Sequence, residues 1–137
     1  ASSVVYNRHF KLAQKKNVGI IARPPLAFGF LTGKINADHC FKNNDHRSLW
    51  SNDQKKKWVG CSKKLFENNL LSKKMSQAQF SLSFCMSLPE VSVTIAGMID
   101  EKEVLENSNV LCMRPMSKTQ IKQIIRFNKH NQSFIKN

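Results

Sequence analysis

The chain has 137 residues, with 22 Lys or Arg against 9 Asp or Glu, for a formal net charge of +13 and an isoelectric point near 9.9. That length allows one modest domain with a real core, and the basic excess can mark a nucleic-acid or anionic-membrane partner; here, however, Lys15-Lys16, Lys55-Lys56-Lys57, Lys63-Lys64 and Lys73-Lys74 are scattered, with no Arg-rich run, as on a solvated surface. Cys40, Cys61, Cys85 and Cys112 form no CxxC pair and lack a His at zinc spacing, and no stretch has the length of a membrane span or of a signal peptide's apolar segment, so the expectation is a cytoplasmic protein with reduced thiols and no metal.

In chain order, Ser2 to Tyr6 reads as a short strand leaving at Asn7, followed by a helical stretch from about Phe10 to Lys16. Asn17 suits the left-handed geometry of a helix end. Val18 to Ala22 is a β-branched run with no polar alternation, which reads as a fully buried strand ended by Pro24-Pro25. Strand, helix and strand make a βαβ unit, placing Tyr6-Asn7 and Arg23-Pro24 on one rim. The following loop, Arg23 to Lys34, carries Gly29, Gly33 and a terminal lysine, which suits backbone meeting a phosphate at the carboxyl end of a parallel strand. The spacing is neither GxGxxG nor GxxxxGK[ST], so spacing alone favours an ordinary strand-to-helix loop.

Residues 35 to 48 are polar and turn-rich, a long loop in which Arg47 is the group suited to a phosphate or ribose; His39 and His46 read as surface histidines. Ser51 with Gln54 forms a capping box for a helix that presents Trp58, Cys61 or Ser62, Leu65 and Phe66 at helical spacing, weakened by Gly60 and ended by Asn68-Asn69. Trp58 reads as core. Ser76 with Gln79 opens a second, almost wholly apolar helix that stops at Pro89. Val91 to Ile95 reads as the next buried strand, and Asp100 with Glu103 caps a helix to about Asn107. Pro115 and Ser117 start a final helix with Ile121, Ile124, Ile125 and Asn128 on one face, and Phe134-Ile135 packs as a tail.

Pro25-Leu26-Ala27, Gly29, Leu31-Thr32-Gly33-Lys34 resemble the strand-seven motif of the aldo-keto reductases, which folds over the pyrophosphate of NADP(H). Val4 to Asn7 resemble that family's sixth strand, Asp45 to Ser48 its cofactor loop, and Ser92 to Gly97 with Glu106-Asn107 its eighth strand and the helix after it. The resemblance implies an α/β chain without an internal domain boundary: the C-terminal half of a (β/α)8 TIM barrel, strands six to eight, with an appended C-terminal helix. A whole barrel takes ~250 residues, so the chain is either partial or a half-barrel. Cofactor contacts fall on Arg23, Leu26, Gly29, Gly33, Lys34, Arg47, Gly97, Glu106 and Asn107, with NADP(H) or NAD(H) as the implied cofactor.

The chain departs from the motif at several points. Ser3 replaces a Gln that bonds the carboxamide, Arg23 an aromatic that stacks on the nicotinamide, and Pro24 a Ser. Met98, Ile99 and Glu103 stand where basic residues receive the adenosine 2′-phosphate, which weakens the NADP preference and brings NADH or an impaired site into view. The proton-donating Tyr and its Lys, Asp and His belong to the family's first four strands; Tyr6, the sole tyrosine, matches a different position, so no catalytic residue is assigned. Three functions stay open. One is the cofactor-clamping half of a reductase acting on a small-molecule carbonyl. Another is a non-catalytic half-barrel that binds a nucleotide or assembles, with a missing N-terminal half or itself as partner. The third, a nucleic-acid-binding module, has only charge behind it.

Overall fold

The computed structural model describes residues 3–67 and 75–131. Helix α1 (Ser3–Lys15) leads to strand β1 (Ile20–Ala22), two 3-10 turns (Ala27–Thr32 and His46–Leu49), helices α2 (Asn52–Glu67) and α3 (Gln77–Met86), and strand β2 (Val91–Thr94). Helix α4 (Glu101–Ser108), a 3-10 turn (Asn109–Cys112) and helix α5 (Lys118–Asn131) complete the order. β1 and β2 pair in parallel, Ile20 opposite Val91, Ile21 opposite Val93 and Ala22 opposite Thr94. The register skips Ser92, whose hydroxyl compensates by accepting the Ile20 N–H at 3.2 Å.

Local chemistry explains most boundaries. Asn17 takes φ 54°, while the Val18 N–H reaches the Ala13 carbonyl and the Asn17 N–H that of Gln14, the paired bonds of a left-handed helix end. Ser76 and Gln79 form the full reciprocal box on α3. On α2 the Ser51 hydroxyl accepts the Gln54 N–H at 3.2 Å, and Gly60 leaves the helix unbroken. α5 has a box of its own, since Ser117 Oγ accepts the Gln120 N–H and Gln120 Oε1 the Ser117 N–H. Its expected apolar face is present, with Ile124 buried and Ile121, Ile125 and Asn128 half-buried, and it packs on α1 and α2.

α3 lies across the sheet and carries much of the core: Ala78 and Leu82 pack with Leu26 and Val110, and Ala96 joins them. A second, aromatic cluster seats the Arg23–Lys34 loop on α2. Phe30, 1% exposed, stacks on Trp50 at 5.9 Å and meets Trp58 edge-on at 5.4 Å. Trp58 is core, as its helical position implies.

Two expectations are corrected. The segment read as a strand from Ser2 to Tyr6 is, from Ser3, the first part of α1, so it supplies no strand end and the expected βαβ unit is not formed there. The β preference of Val4-Val5 is realised only where an edge offers pairing, and the described sheet consists of β1 and β2 alone. Nor are the strands buried on both faces. Ile21 is 61% exposed and Val93 and Ile95 about half, because α3 covers one face of the sheet and no described element covers the other. Ser2 itself, Asn68-Asn69, Lys73-Lys74 and Phe134-Ile135 lie outside the described residues.

Candidate functional site

β1 and β2 are parallel neighbours, so their carboxyl ends and the loops that leave them share one rim, the usual place for a ligand in such sheets. The first loop leaves β1 at the exposed Arg23, turns at Pro24-Pro25 and buries the Leu26 side chain in the core. Ala27, Phe28 and Gly29 then adopt φ of 46°, 57° and 93° in succession. A left-handed backbone disfavours Ala and Phe by roughly 1–2 kcal/mol each, so the surroundings must hold it. They do: Arg47 Nη1 donates to the Phe28 carbonyl at 2.7 Å, and the Phe28 ring packs against His46, Trp50 and Trp58.

Gly33 closes the loop at φ 75°, and a Cβ there would come 2.7 Å from Gln77 Oε1 at the start of α3. Thr32 Oγ1 bonds the Gly29 carbonyl at 2.7 Å and accepts the Lys34 N–H at 3.2 Å, which presents the Lys34 side chain at the rim. Gly29 lies beneath Arg47, whose Nη1 would be 3.1 Å from an added Cβ.

Arg47 is turned inward. Its Nε and Nη2 bond both oxygens of Asp45, the shortest contact being 2.6 Å, and its guanidinium lies 4.4 Å above the Phe41 ring. Side-chain and then backbone hydrogen bonds from Arg47 pull the Asp45 carboxyl down to about 2. The guanidinium therefore joins two loops, and in this arrangement a phosphate would have to compete with Asp45. The Asp-x-Arg spacing was the sequence signal for that pairing. His46 and His39 are exposed and pack edge-on to aromatic rings, His46 on Phe28 and Trp50 and His39 on Phe41.

The second loop leaves β2 and enters α4. Asp100 caps the helix by accepting the Glu103 N–H at 2.8 Å. Glu103 answers with both carboxylate oxygens: Oε2 accepts the Ile99 N–H at 3.1 Å and Oε1 meets Lys34 Nζ at 2.8 Å. That hydrogen bond raises the Lys34 pKa and lowers that of Glu103. Gln79 Nε2 ties α3 to α4 through the Glu106 carbonyl at 2.9 Å. Gly97 is exposed with open space where a Cβ would stand, so the chain's own packing does not demand glycine there.

Asn107 borders a groove of about 460 Å³ whose walls include Leu82, Met86, Val93, Thr94 and Val104. The buried Thr94 hydroxyl in that groove has no hydrogen-bond partner. The rim thus brings Lys34 to the start of α4, Gly33 to the start of α3 and Arg47 to Gly29; Leu26 goes to the core. Sequence reasoning did not find Gln77 or Phe41, and it found Gln79 only as the partner of Ser76, not through its bond to Glu106, 27 residues on. Among the described residues no group of three His, Cys, Asp or Glu is placed to hold a metal, and no helix is long and apolar enough to cross a membrane.

A family profile described as "Aldo/keto reductase family" matches residues 2–129. No individually curated protein matches the chain.

Proposed function

The chain belongs to the aldo/keto reductase family, which places its function in the oxidoreductase class, and from that premise we propose that it forms the cofactor-clamping part of an NAD(P)H-dependent carbonyl reductase. The observation that carries this reading is the meeting of two loops at the carboxyl ends of adjacent parallel strands, with Lys34 on one and the start of α4 on the other 2.8 Å apart across the pair with Glu103.

The residues fit a dinucleotide unevenly. The loop from Gly29 to Lys34, with its left-handed glycines, offers close backbone approach and an ammonium for a pyrophosphate, and Arg23, exposed at the end of β1, is free to lie along a nicotinamide or a phosphate. Asn107 stands half-buried where it can hydrogen-bond a base edge beside Glu106, with Gly97 leaving open space nearby. Arg47 supports the loop from beneath through the Phe28 carbonyl. When bound, the nicotinamide would supply the hydride that reduces the carbonyl carbon. The chain's own part is to bind and orient; the group that protonates the carbonyl oxygen is assigned to the remainder of a (β/α)8 barrel, of which this chain would be strands six to eight.

That remainder, an N-terminal half, would cover the apolar face left by Ile21, Val93 and Ile95; a second copy would cover it without supplying the proton donor. A cytoplasmic setting accords with four free thiols, of which Cys85 is pushed up to about 11 by burial and is inert. One observation favours the second reading, a non-catalytic assembly module: Lys34 and Arg47, two of the cations suited to a cofactor phosphate, are each paired with a carboxylate of the chain itself. Calorimetric titration of the full polypeptide with NADH and NADPH decides. Saturable binding of either supports the reductase reading, and absence of heat with both supports the module.

A further inference from the structure

Cations that are scattered along the chain are gathered by the fold. Helix α5 packs on both α1 and α2, so the exposed sides of the three helices adjoin one another. On α5, Lys118, Lys122, Arg126 and Lys129 are all exposed and recur at i, i+4, i+8 and i+11, a single stripe beside the apolar face that holds Ile124. On α2, Lys56, Lys57, Lys63 and Lys64 share the exposed side, away from the buried Trp58, Cys61 and Leu65. Lys11 and Lys15, exposed and one turn apart, extend the charge onto α1. Against these cations the three helices set only Asp53 and Glu67, both on α2, and Glu67 lies 3.8 Å from Lys63. Acidic residues concentrate instead at α4, with Asp100, Glu101, Glu103 and Glu106.

We propose that this basic face of α1, α2 and α5 binds a nucleic-acid duplex through its sugar-phosphate backbone, without choice of base sequence. The class of partner follows from what accompanies the charge. A protein partner would need an apolar or aromatic centre to the contact, where lysine is depleted, and a helix lying on a membrane turns its apolar side to the lipid. Among the described residues α2 and α5 expose no large apolar side chain, and the apolar side of α5 is spent on its packing against α1 and α2. Single strands are held on exposed aromatic platforms, whereas Trp58, Phe66 and Phe127, the rings of α2 and α5, are buried or half-buried. A duplex backbone asks for cations alone. It carries one charge per ~1.7 Å of axis, so the α5 stripe, ~16 Å from Lys118 to Lys129, spans about ten of them. Lysine meets a phosphate as a point charge, and contacts to phosphate position a protein without reading sequence. None of the candidate cofactor contacts lies on these helices, so the face stands whether or not a dinucleotide binds.

The test is fluorescence anisotropy of a short labelled DNA duplex of mixed sequence, titrated with the full polypeptide. Neutralising four or more phosphates lowers affinity about 100-fold or more between about 50 and 200 mM salt, and the wild type is expected to show that loss. Lys122→Gln combined with Arg126→Gln is expected to weaken binding at about 50 mM salt by about tenfold or more and to flatten the salt dependence. The charge-matched pair Lys42→Gln with Lys102→Gln, exposed but outside this face, is expected to change affinity by less than about threefold. All four side chains are exposed, so unchanged melting temperatures verify that both variants fold. A wild type that does not bind, one whose affinity falls less than about tenfold over that salt range, or two variants that weaken alike overturns the inference. Retention on phosphatidylserine–phosphatidylcholine vesicles that excess duplex fails to displace also overturns it, and reassigns the face to a membrane surface.

Discussion

Arg47 and Lys34 are both cations at the same rim, yet they are held in opposite ways. Arg47 takes its carboxylate from two residues away, and its guanidinium is sandwiched between the Phe28 carbonyl and the Phe41 ring, with the side chain 27% exposed. Lys34 takes its carboxylate from a helix 69 residues on and is mostly in solvent. The first arrangement is a fastener for a left-handed loop. The second is a loose tie that can open, and only such a tie can respond to a ligand without unfolding its surroundings.

The largest effect that sharpens this contrast is expected from Arg47→Met, which removes the bonds to Phe28 and Asp45 and leaves Ala27 and Phe28 without their restraint. A loss of about 2–3 kcal/mol in urea unfolding is expected, and a loss below about 0.5 kcal/mol would mean the loop holds itself. The same pair dominates the acid limb. Asp45 lies below its ordinary value of 3.8, at about 2, so its contribution is complete above about pH 4 and disappears as pH falls through about 2. Asp45→Asn should therefore flatten the decline in stability between pH 4 and pH 2, measured by thermal unfolding at each pH; an unaltered slope would show that the pairing does not form in solution.

Gly33→Ala comes next, at about 1–2 kcal/mol, since it meets both φ 75° and Gln77 Oε1. Gly97→Ala is its control, with open space around it and little change expected in the melting temperature. The smallest stability effect belongs to Lys34→Met, about 0.5 kcal/mol or less and reduced further by salt. A loss as large as that of Arg47→Met would erase the distinction between fastener and tie.

Several features were legible because they are local. The Ser76–Gln79 box, the Asp100 cap, the left-handed Asn17 and the stop at Pro89 each depend on groups a few residues apart, and the structure contains them as read. The two strands were legible as short β-branched runs ending in breakers, and the family through the residues from Pro25 to Lys34 and from Ser92 to Asn107. The candidate site was legible in its membership more than in its geometry. Nothing near Leu26 in the chain announces that Ala78, Leu82 and Val110 will enclose it, and the Asp-x-Arg spacing announces the pair with Asp45 but not that the Phe28 carbonyl takes another donor of the guanidinium.

What the sequence by itself determined is therefore the set of caps, turns and strand runs, because a hydrogen bond between residues three apart is available to the chain as soon as the segment forms. What only the tertiary structure decided is which face of each strand stays open, that Ser3 to Tyr6 continue a helix, and that Lys34 meets Glu103. Those outcomes depend on which distant element supplies the pairing edge, the covering side chain or the countercharge, and loop closure over some seventy residues brings such partners together only when the packing of the core has fixed the path between them.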